Sequence, residues 1–311
     1  MKNNTIVTIA NANYFWGVFI LLASMRKSGM DEPAIVFQRG FSQKMIEIVS
    51  RFGDVRVVEG PPVKRNLTCL KPDALLLADT DYITWVDSDG YFSGNVSAEL
   101  PPSAPGKIHV RLRSPEDNGK TFTELELYSA DDRFGDIPAS VLAVWRRDCD
   151  RSDDTVPKLK TCASACIFSL DRSSRPFLED WQRRMVKYIP DEDVGVVNRR
   201  QTAYRQLDES VLNCMLSYWE GAPEPDGKYR LDGASKAMFM HVVGVPKPWQ
   251  WWTRRSLRYY REIMDIMGWA AKNGFADVKF PPALKSIYAP LHRLTLLSYW
   301  PSLLRKLHIG G

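Results

Sequence analysis

Residues 5–29 read TIVTIANANYFWGVFILLASMRKSG. The first part, Thr5–Ala10, alternates along the chain and is rich in β-branched side chains, which predicts a strand. Apolar residues then recur with helical spacing until Gly29, a residue suited to end a helix, so a helix is predicted over Phe15–Ser28. A strand followed closely by a helix is the repeating unit of α/β folds, and the rest of the chain is interpreted from this unit.

The alternation of strand and helix continues to residue 90. Further strands are predicted at Ala34–Phe37, Val55–Val58 and Tyr82–Val86, and helices at Ser42–Phe52 and Pro72–Asp79. Because the connections are short, the pattern predicts an open α/β sheet with substantial parallel content, flanked by helices. Ligands of such sheets bind at the carboxyl ends of the strands.

The pattern is less regular beyond residue 100. Several prolines and mixed charges predict long loops over residues 101–160. A strand is predicted at Ala165–Leu170, helices at Pro176–Tyr188 and Gln206–Tyr218, and a late strand at Met238–Val243.

The charge of the chain is distributed unevenly. The 311 residues include 42 Lys and Arg and 37 Asp and Glu, a formal net charge of +5. Ten basic and three acidic residues lie in 251–311, so this segment carries about +7 and residues 1–250 about −2. A near-neutral body with a basic tail excludes a nucleic-acid-binding surface spread over the whole protein. It predicts one domain over 1–250 and a separate basic, aromatic-rich helical tail over 251–311.

Several common signatures are missing from the sequence. There is no G-x-x-x-x-G-K-[ST] loop and no G-x-G-x-x-G turn, which argues against a P-loop NTPase and a dinucleotide-binding oxidoreductase. The five cysteines are odd in number and form no paired zinc pattern, and the N-terminal residues lack the long apolar core of a signal peptide. A reduced, cytoplasmic location is therefore expected.

A pair of carboxylates follows the predicted strand at Tyr82–Val86. Asp87 and Asp89 are one residue apart and can share a hard divalent cation, which in turn can bridge a diphosphate. Other D-x-D pairs in this chain have the same spacing and are typical of solvated loops, but this pair alone follows a strand-like run.

A second candidate motif, HVVGVPKPW, spans residues 241–249. An imidazole at His241 can bind a metal, Gly244 permits close approach of the backbone to a phosphate, and Lys247 supplies a positive charge. The alternative interpretation is a histidine of the core followed by a loop stiffened by proline.

The complete pattern H-x-x-G-x-x-K-P-W resembles the signature of glycosyltransferase family 8, the glycogenin-like and bacterial lipopolysaccharide glycosyltransferase group with the GT-A fold. The resemblance covers residues 5–250. It implies a Rossmann-like mixed, mostly parallel sheet and a hexosyltransferase that moves a sugar, with retention, from a UDP-linked donor to a glycan or lipid-linked acceptor. The expected setting is the synthesis of surface polysaccharide or lipopolysaccharide.

The resemblance also implies a role for each matching residue. The metal ligands, for Mn²⁺ or Mg²⁺, are Asp87, Asp89 and His241. The donor-binding residues are Ala10, Asn11, Tyr14, Lys71, Ser88, Gly244 and Lys247. The catalytic residues beside the reacting sugar are Asp208 and Glu209.

The sequence departs from the family pattern in two places. Glu209 stands where the family usually has Gln, and it is interpreted as a covalent nucleophile, an electrostatic stabiliser of the sugar, or an exposed and inert residue of a helix. Ser164, Ala165 and Cys166 stand where the family tends to have Asn-(Ser/Ala)-Gly, which predicts an altered choice of donor sugar.

The basic tail permits two interpretations. Residues 281–311 have no acids and carry apolar and aromatic residues with spacings of three and four, which predicts amphipathic helices broken at Pro290 and Pro301. Four arginines between 254 and 261 lie beside Trp251, Trp252, Tyr259 and Tyr260. The tail is expected either to contact the inner face of the cytoplasmic membrane or to pack on the domain. A catalytically inactive GT-A-like module that binds glycans or scaffolds a complex is the alternative function.

Overall fold

The computed structural model describes residues 3–62, 65–118, 132–190, 197–198, 201–226, 239–285 and 299. The strands are β1 Asn4–Asn11, β2 Ala34–Arg39, β3 Val55–Glu59, β4 Tyr82–Val86, β5 Gly90–Phe92, β6 Lys107–Leu112, β7 Arg133–Phe134, β8 Ile137–Pro138, β9 Ala163–Asp171, β10 Glu224–Pro225 and β11 Phe239–His241. The helices are α1 Phe15–Lys27, α2 Gln43–Ser50, α3 Lys71–Leu75, α4 Ala139–Asp148, α5 Arg175–Tyr188, α6 Asp208–Tyr218, α7 Tyr260–Lys272 and α8 Pro282–Lys285.

The predicted α/β fold with a mostly parallel sheet is confirmed. Seven strands form one sheet in the order β10-β6-β9-β4-β1-β2-β3. The pairs β1–β2, β2–β3, β1–β4 and β6–β10 are parallel, whereas β9 is antiparallel to both β4 and β6. Two further two-stranded sheets pair β5 with β11 and β7 with β8.

Each face of the central sheet carries a hydrophobic core. Along β1 the side chains alternate, so Val7 belongs to one core and Ile6 to the other. The core with Val7 includes residues of α4, α5 and α6, and the core with Ile6 includes residues of α1, α2 and α7. Both faces are covered, which explains why all residues of β1 from Asn4 to Ala10 are buried.

Helix α1 lies in the middle of the second core. Ten of its thirteen residues are buried, and it packs against α7 and β5. After it, Gly29 adopts a φ of +74°, the left-handed conformation that glycine takes at helix ends. The predicted helix and its glycine stop are therefore confirmed.

The prediction of long loops over residues 101–160 was wrong for 107–112 and 139–148, and its part over 119–131 lies outside the described residues. This segment contains β6, an internal strand of the sheet, and the ten-residue helix α4. Pro138 immediately precedes α4, where its fixed φ is compatible with the start of a helix, so the prolines bound these elements and do not interrupt them. The helix predicted over Pro72–Asp79 is shorter than expected and ends at Leu75.

The segment after residue 250 packs partly on the rest of the chain. Trp252, Tyr259 and Tyr260 are buried in the second core, whereas Trp251 is 36% exposed. The helices expected around Pro290 and Pro301 lie outside the described residues. Within the described ranges, no helix combines the length and the apolarity needed to cross a membrane. The domain boundary at residue 250 stays a prediction.

Candidate functional site

A cavity of about 840 Å³ opens at the carboxyl ends of β1, β2 and β4. Ten of the twelve site residues implied by the family resemblance line it: Ala10, Asn11, Tyr14, Lys71, Asp87, Ser88, Asp89, Asp208, Glu209 and His241. Lys247 contacts Asp89 from outside this lining, and Gly244 lies in the loop between His241 and Lys247. The structure thus brings together residues as far apart in the sequence as Ala10 and His241, while their roles stay predictions.

Asp87, Asp89 and His241 form a cluster that can hold a metal ion. One potential ligand atom from each lies within 4.8 Å of the others. His241 Nε2 is 3.0 Å from Asp89 Oδ1 and 3.9 Å from Asp87 Oδ2. Two carboxylates and one imidazole are a donor set suited to Mn²⁺ or Mg²⁺, so the residues fit the predicted ion.

Local backbone structure explains how these three side chains meet. The two aspartates occupy the turn between β4 and β5, and β5 pairs antiparallel with β11 so that Gly90 faces His241. A Cβ at Gly90 would lie 2.2 Å from the ring of Phe239 and 2.7 Å from the carbonyl oxygen of Met240. Glycine at this position therefore allows β11 to approach closely and to bring His241 to the aspartates.

The electrostatics of the cluster favour a cation. Burial would raise the pKa of Asp89, but His241 and Lys247 outweigh burial and hold that pKa well below its usual range. Burial would lower the pKa of His241, yet the negative charge of Asp89 raises it well above its usual value. The carboxylate is thus ionised and attracts positive charge, whether from the imidazolium, from Lys247 or from a metal.

Lys247 contacts the cluster of Asp87, Asp89 and His241. Its Nζ lies 2.6 Å from Asp89 Oδ2 and donates to the carbonyl oxygen of Val242 at 2.8 Å, and the residue is 4% exposed. The same loop is tied to the turn after β1, because Trp249 Nε1 donates to the carbonyl oxygen of Asn13 at 3.0 Å. Gly244 has a φ of +95°, which explains the glycine of the motif.

The turn after β1 is stabilised by the side chain of Asn11. Asn11 Oδ1 accepts a hydrogen bond from the backbone N–H of Asn13 at 3.0 Å. Tyr14 packs edge-on against Trp249, with ring centroids 5.7 Å apart. Burial, followed by Asp89 and Asp87, raises the pKa of the Tyr14 phenol, so this ring is neutral and available for stacking.

Lys71 links the metal cluster to Asp208. Its Nζ is 2.6 Å from Asp208 Oδ2 and 3.4 Å from Asp87 Oδ1, and it donates to the carbonyl oxygen of Ala165 at 2.8 Å. The ammonium also lies 4.5 Å from the centroid of the Trp85 ring, whose Nε1 donates to Asp87 Oδ1. Burial raises the pKa of Asp208 to about 6, although Lys71 acts in the opposite direction.

Glu209 is held by two donors. One carboxylate oxygen pairs with Arg113, and the other accepts from the backbone N–H of Ala165 at 2.9 Å. Its side chain is 14% exposed, so Glu209 is not the exposed helix residue of the third interpretation, and its role stays a prediction. The charge of Glu209, more than the opposing effect of burial, raises the pKa of Arg113.

Sequence reasoning missed four arginines of the cavity: Arg39, Arg65, Arg111 and Arg113. Arg39 is the last residue of β2 and pairs in register with Asn11, so the rule that ligands bind at strand ends could have identified it. Arg111 and Arg113 lie at the end of β6, in the segment predicted as loop, and therefore carried no signal. Arg111 pairs with Asp117 at 2.5 Å.

Comparison with known proteins identifies the fold. The seven-stranded, mostly parallel sheet with flanking helices matches solved GT-A glycosyltransferases. No protein-family profile matches the sequence, and no curated protein sequence matches it at a significant level.

The solved structures similar to this chain include three glycosyltransferases. The galactosyltransferase LgtC, in complex with donor and acceptor sugar analogues, is 12% identical with a TM-score of 0.52 over 85% of this chain and 95% of its own. The bifunctional glycosyltransferase WbbM is 12% identical with a TM-score of 0.56 over 95% of this chain and 52% of its own. GlyE of Streptococcus pneumoniae TIGR4 is 10% identical with a TM-score of 0.55 over 90% of this chain and 65% of its own. At these identities the likeness establishes the fold.

Proposed function

We propose that the chain is a metal-dependent, retaining glycosyltransferase that uses a UDP-linked sugar. The observation that carries this proposal is the meeting of Asp87, Asp89 and His241 with two buried lysines in a GT-A fold. Lys71 lines the same cavity, and Lys247 contacts Asp89 from outside its lining. A carboxylate–imidazole cluster beside two ammonium groups matches what a metal-bound diphosphate requires. The family resemblance and the glycosyltransferases of the same fold support the same reaction.

Each group has a distinct part in the proposed reaction. Asp87, Asp89 and His241 would hold the divalent cation, which when bound neutralises the diphosphate and the departing nucleotide. Lys71 and Lys247 add fixed positive charge where the leaving group becomes more negative. The carboxylate of Asp208 stabilises positive charge on the sugar. The ring of Tyr14 stacks on the base of the nucleotide.

Glu209 is proposed as an electrostatic residue, not a covalent nucleophile. Both of its oxygens already accept hydrogen bonds, one from Arg113 and one from Ala165 N–H. These bonds lower the nucleophilicity of the carboxylate, since its lone pairs are engaged. Intact-protein mass spectrometry during donor turnover is expected to show no glycosylated enzyme, and a sugar adduct at Glu209 would contradict this role.

The decisive experiment measures UDP binding by calorimetry with and without Mn²⁺. The wild type is expected to bind UDP only with the metal, and Asp89→Ala is expected to lose this dependence. Asp79→Ala is the matched control, because Asp79 belongs to an exposed D-x-D pair of the same spacing outside the cavity. Equal binding by wild type and Asp89→Ala would end the proposal. A screen of UDP-sugars for hydrolysis then separates an enzyme from an inactive glycan-binding module.

A glycan or lipid-linked acceptor, delivered at the inner face of the cytoplasmic membrane, is proposed for the same enzyme. The support is an exposed basic and aromatic set next to the site, Trp251, Arg254 and Arg255, with Arg255 lying against Gly244. Such a set favours anionic lipid surfaces. Reversing the charge at Arg254 and Arg255 is expected to reduce binding to anionic vesicles while neutral vesicles show no difference; unchanged binding to anionic vesicles would remove the membrane from the proposal.

A further inference from the structure

The Arg113–Glu209 ion pair lies one step beyond Asp208 along the wall of the cavity. From the metal cluster, Asp87 contacts Lys71, Lys71 contacts Asp208, and the next residue of α6 is Glu209, which pairs with Arg113. On the proposed function, a sugar joined directly to a diphosphate at the cluster is placed along this wall. Its ring therefore meets Asp208 first and the Arg113–Glu209 pair next.

The pair is rigid and electrically neutral before any sugar binds. Glu209 is fixed on its second oxygen by Ala165 N–H of strand β9, and its side chain and that of Arg113 are 14% and 20% exposed. The first turn of α6 is braced as well, because Asn213 donates to the carbonyl oxygens of Glu209 and Ala163. A preformed pair of this kind loses little conformational entropy when a ligand arrives.

We propose that the Arg113–Glu209 pair selects a donor sugar with neutral hydroxyl groups and rejects a uronic acid. A hydroxyl both donates and accepts, so it can bond a carboxylate and a guanidinium that lie side by side. The carboxylate of a uronic acid would find Arg113 already neutralised and would lie against Glu209, a like charge that disfavours it.

Glu209→Gln tests the proposal by removing one charge with little change of shape. The amide oxygen of Gln can still accept from Ala165 N–H, but Arg113 loses its counter-charge. The affinity for UDP-glucuronate relative to UDP-glucose is expected to rise about tenfold or more, since one charge-assisted hydrogen bond becomes available to the uronate. The affinity for UDP itself is expected to stay constant, which a general structural defect would not allow.

Three further variants make the experiment selective. Arg113→Gln in the Glu209→Gln background is expected to abolish the gain. Arg113→Gln alone is expected to lower the affinity for UDP-glucuronate relative to UDP-glucose, the opposite of the effect of Glu209→Gln. This variant tests the proposal if Glu209→Gln fails to fold. Asp117→Asn frees the neighbouring Arg111 in the same cavity and is expected to leave the ratio unchanged.

The outcomes separate this inference from the proposed function. Normal Mn²⁺-dependent UDP binding with an unchanged ratio in Glu209→Gln overturns the donor-sugar inference alone. A wild type that binds UDP-glucuronate as tightly as UDP-glucose overturns it too. Failure of the wild type to bind UDP with metal overturns the proposed function and the inference together.

Discussion

Lys71 Nζ lies 2.6 Å from Asp208 Oδ2, and the two side chains are 2% and 8% exposed. Such a pair has lost most of its hydration, so each charge depends on the other. Because Lys71 also contacts Asp87, the pair joins the first turn of α6 to the candidate metal cluster.

Replacement of Lys71 by Met is therefore expected to destabilise the fold strongly. It leaves the buried carboxylate of Asp208 without its counter-charge, which typically costs about 3–5 kcal/mol of unfolding free energy. The double variant Lys71→Met/Asp208→Asn buries no isolated charge and is expected to regain part of this loss. Urea unfolding of the wild type, Lys71→Met, Asp208→Asn and the double variant measures both effects. A Lys71→Met protein as stable as the wild type would contradict the contact as described.

The rate of donor turnover is expected to fall as the pH is lowered through about 6. Burial raises the pKa of Asp208 to about 6, above the ordinary value of an aspartate, so the carboxylate takes up a proton in this range. A protonated Asp208 no longer stabilises positive charge on the sugar. The loss of its negative charge also weakens the contact with Lys71. The pH profile of UDP-sugar hydrolysis at saturating metal and donor measures this effect.

Asp208→Asn is the control for the pH profile. Its rate is expected to be low and to lack the fall near pH 6, because the titrating group has been removed. An identical acid limb in this variant would assign the fall to another group.

Lys247→Met is expected to have opposite effects on the affinity for the metal and on the affinity for the nucleotide. Lys247 Nζ lies 2.6 Å from Asp89 Oδ2, so it competes with a cation for that oxygen. Removing it is expected to tighten Mn²⁺ binding in the absence of nucleotide and to weaken UDP binding in the presence of Mn²⁺, because a positive charge near the diphosphate is lost. Calorimetric titrations with Mn²⁺ alone and with UDP at saturating Mn²⁺ distinguish the two effects. Weaker Mn²⁺ binding in the variant would show that Lys247 supports the cluster instead.

The first half of the sheet could be predicted because its signals are local. Each of β1, β2, β3 and β4 is a short apolar run that lies close to a helix or a glycine stop, and these features are visible within ten residues. Strand β6 could not be predicted in this way. Its neighbour β9 lies more than fifty residues away, and its sequence is flanked by prolines and charges that are typical of loops.

The residues of the site likewise include some with a local sequence signal and some without one. Asp87 and Asp89 follow a recognisable strand, and His241 belongs to a motif with five fixed positions, so short patterns located all three. Arg113 could not be located because β6, the strand that it follows, was predicted as loop. The engagement of Glu209 was equally hidden, since a helix-face glutamate in a sequence does not reveal an arginine 96 positions away.

Gly17 offers a test of how closely α1 must approach the metal-binding turn. A Cβ at this position would lie 2.3 Å from the carbonyl oxygen of Ser88 and 2.8 Å from Cη2 of Trp249, so the turn that carries Asp87 and Asp89 would have to shift. Gly17→Ala is expected to weaken Mn²⁺ binding and to lower the free energy of unfolding by about 1–3 kcal/mol, as overpacking of a core does.

Gly268→Ala is the matched control, because Gly268 lies within α7 and a Cβ there would meet nothing within 4 Å. It is expected to stabilise the protein by about 0.5–1 kcal/mol through helix propensity and to leave Mn²⁺ binding unchanged. Thermal unfolding and Mn²⁺ calorimetry on both variants separate the general effect of adding a methyl group to a helix from the specific contact with Ser88. If Gly17→Ala bound Mn²⁺ as the wild type does, α1 would not set the position of the two aspartates.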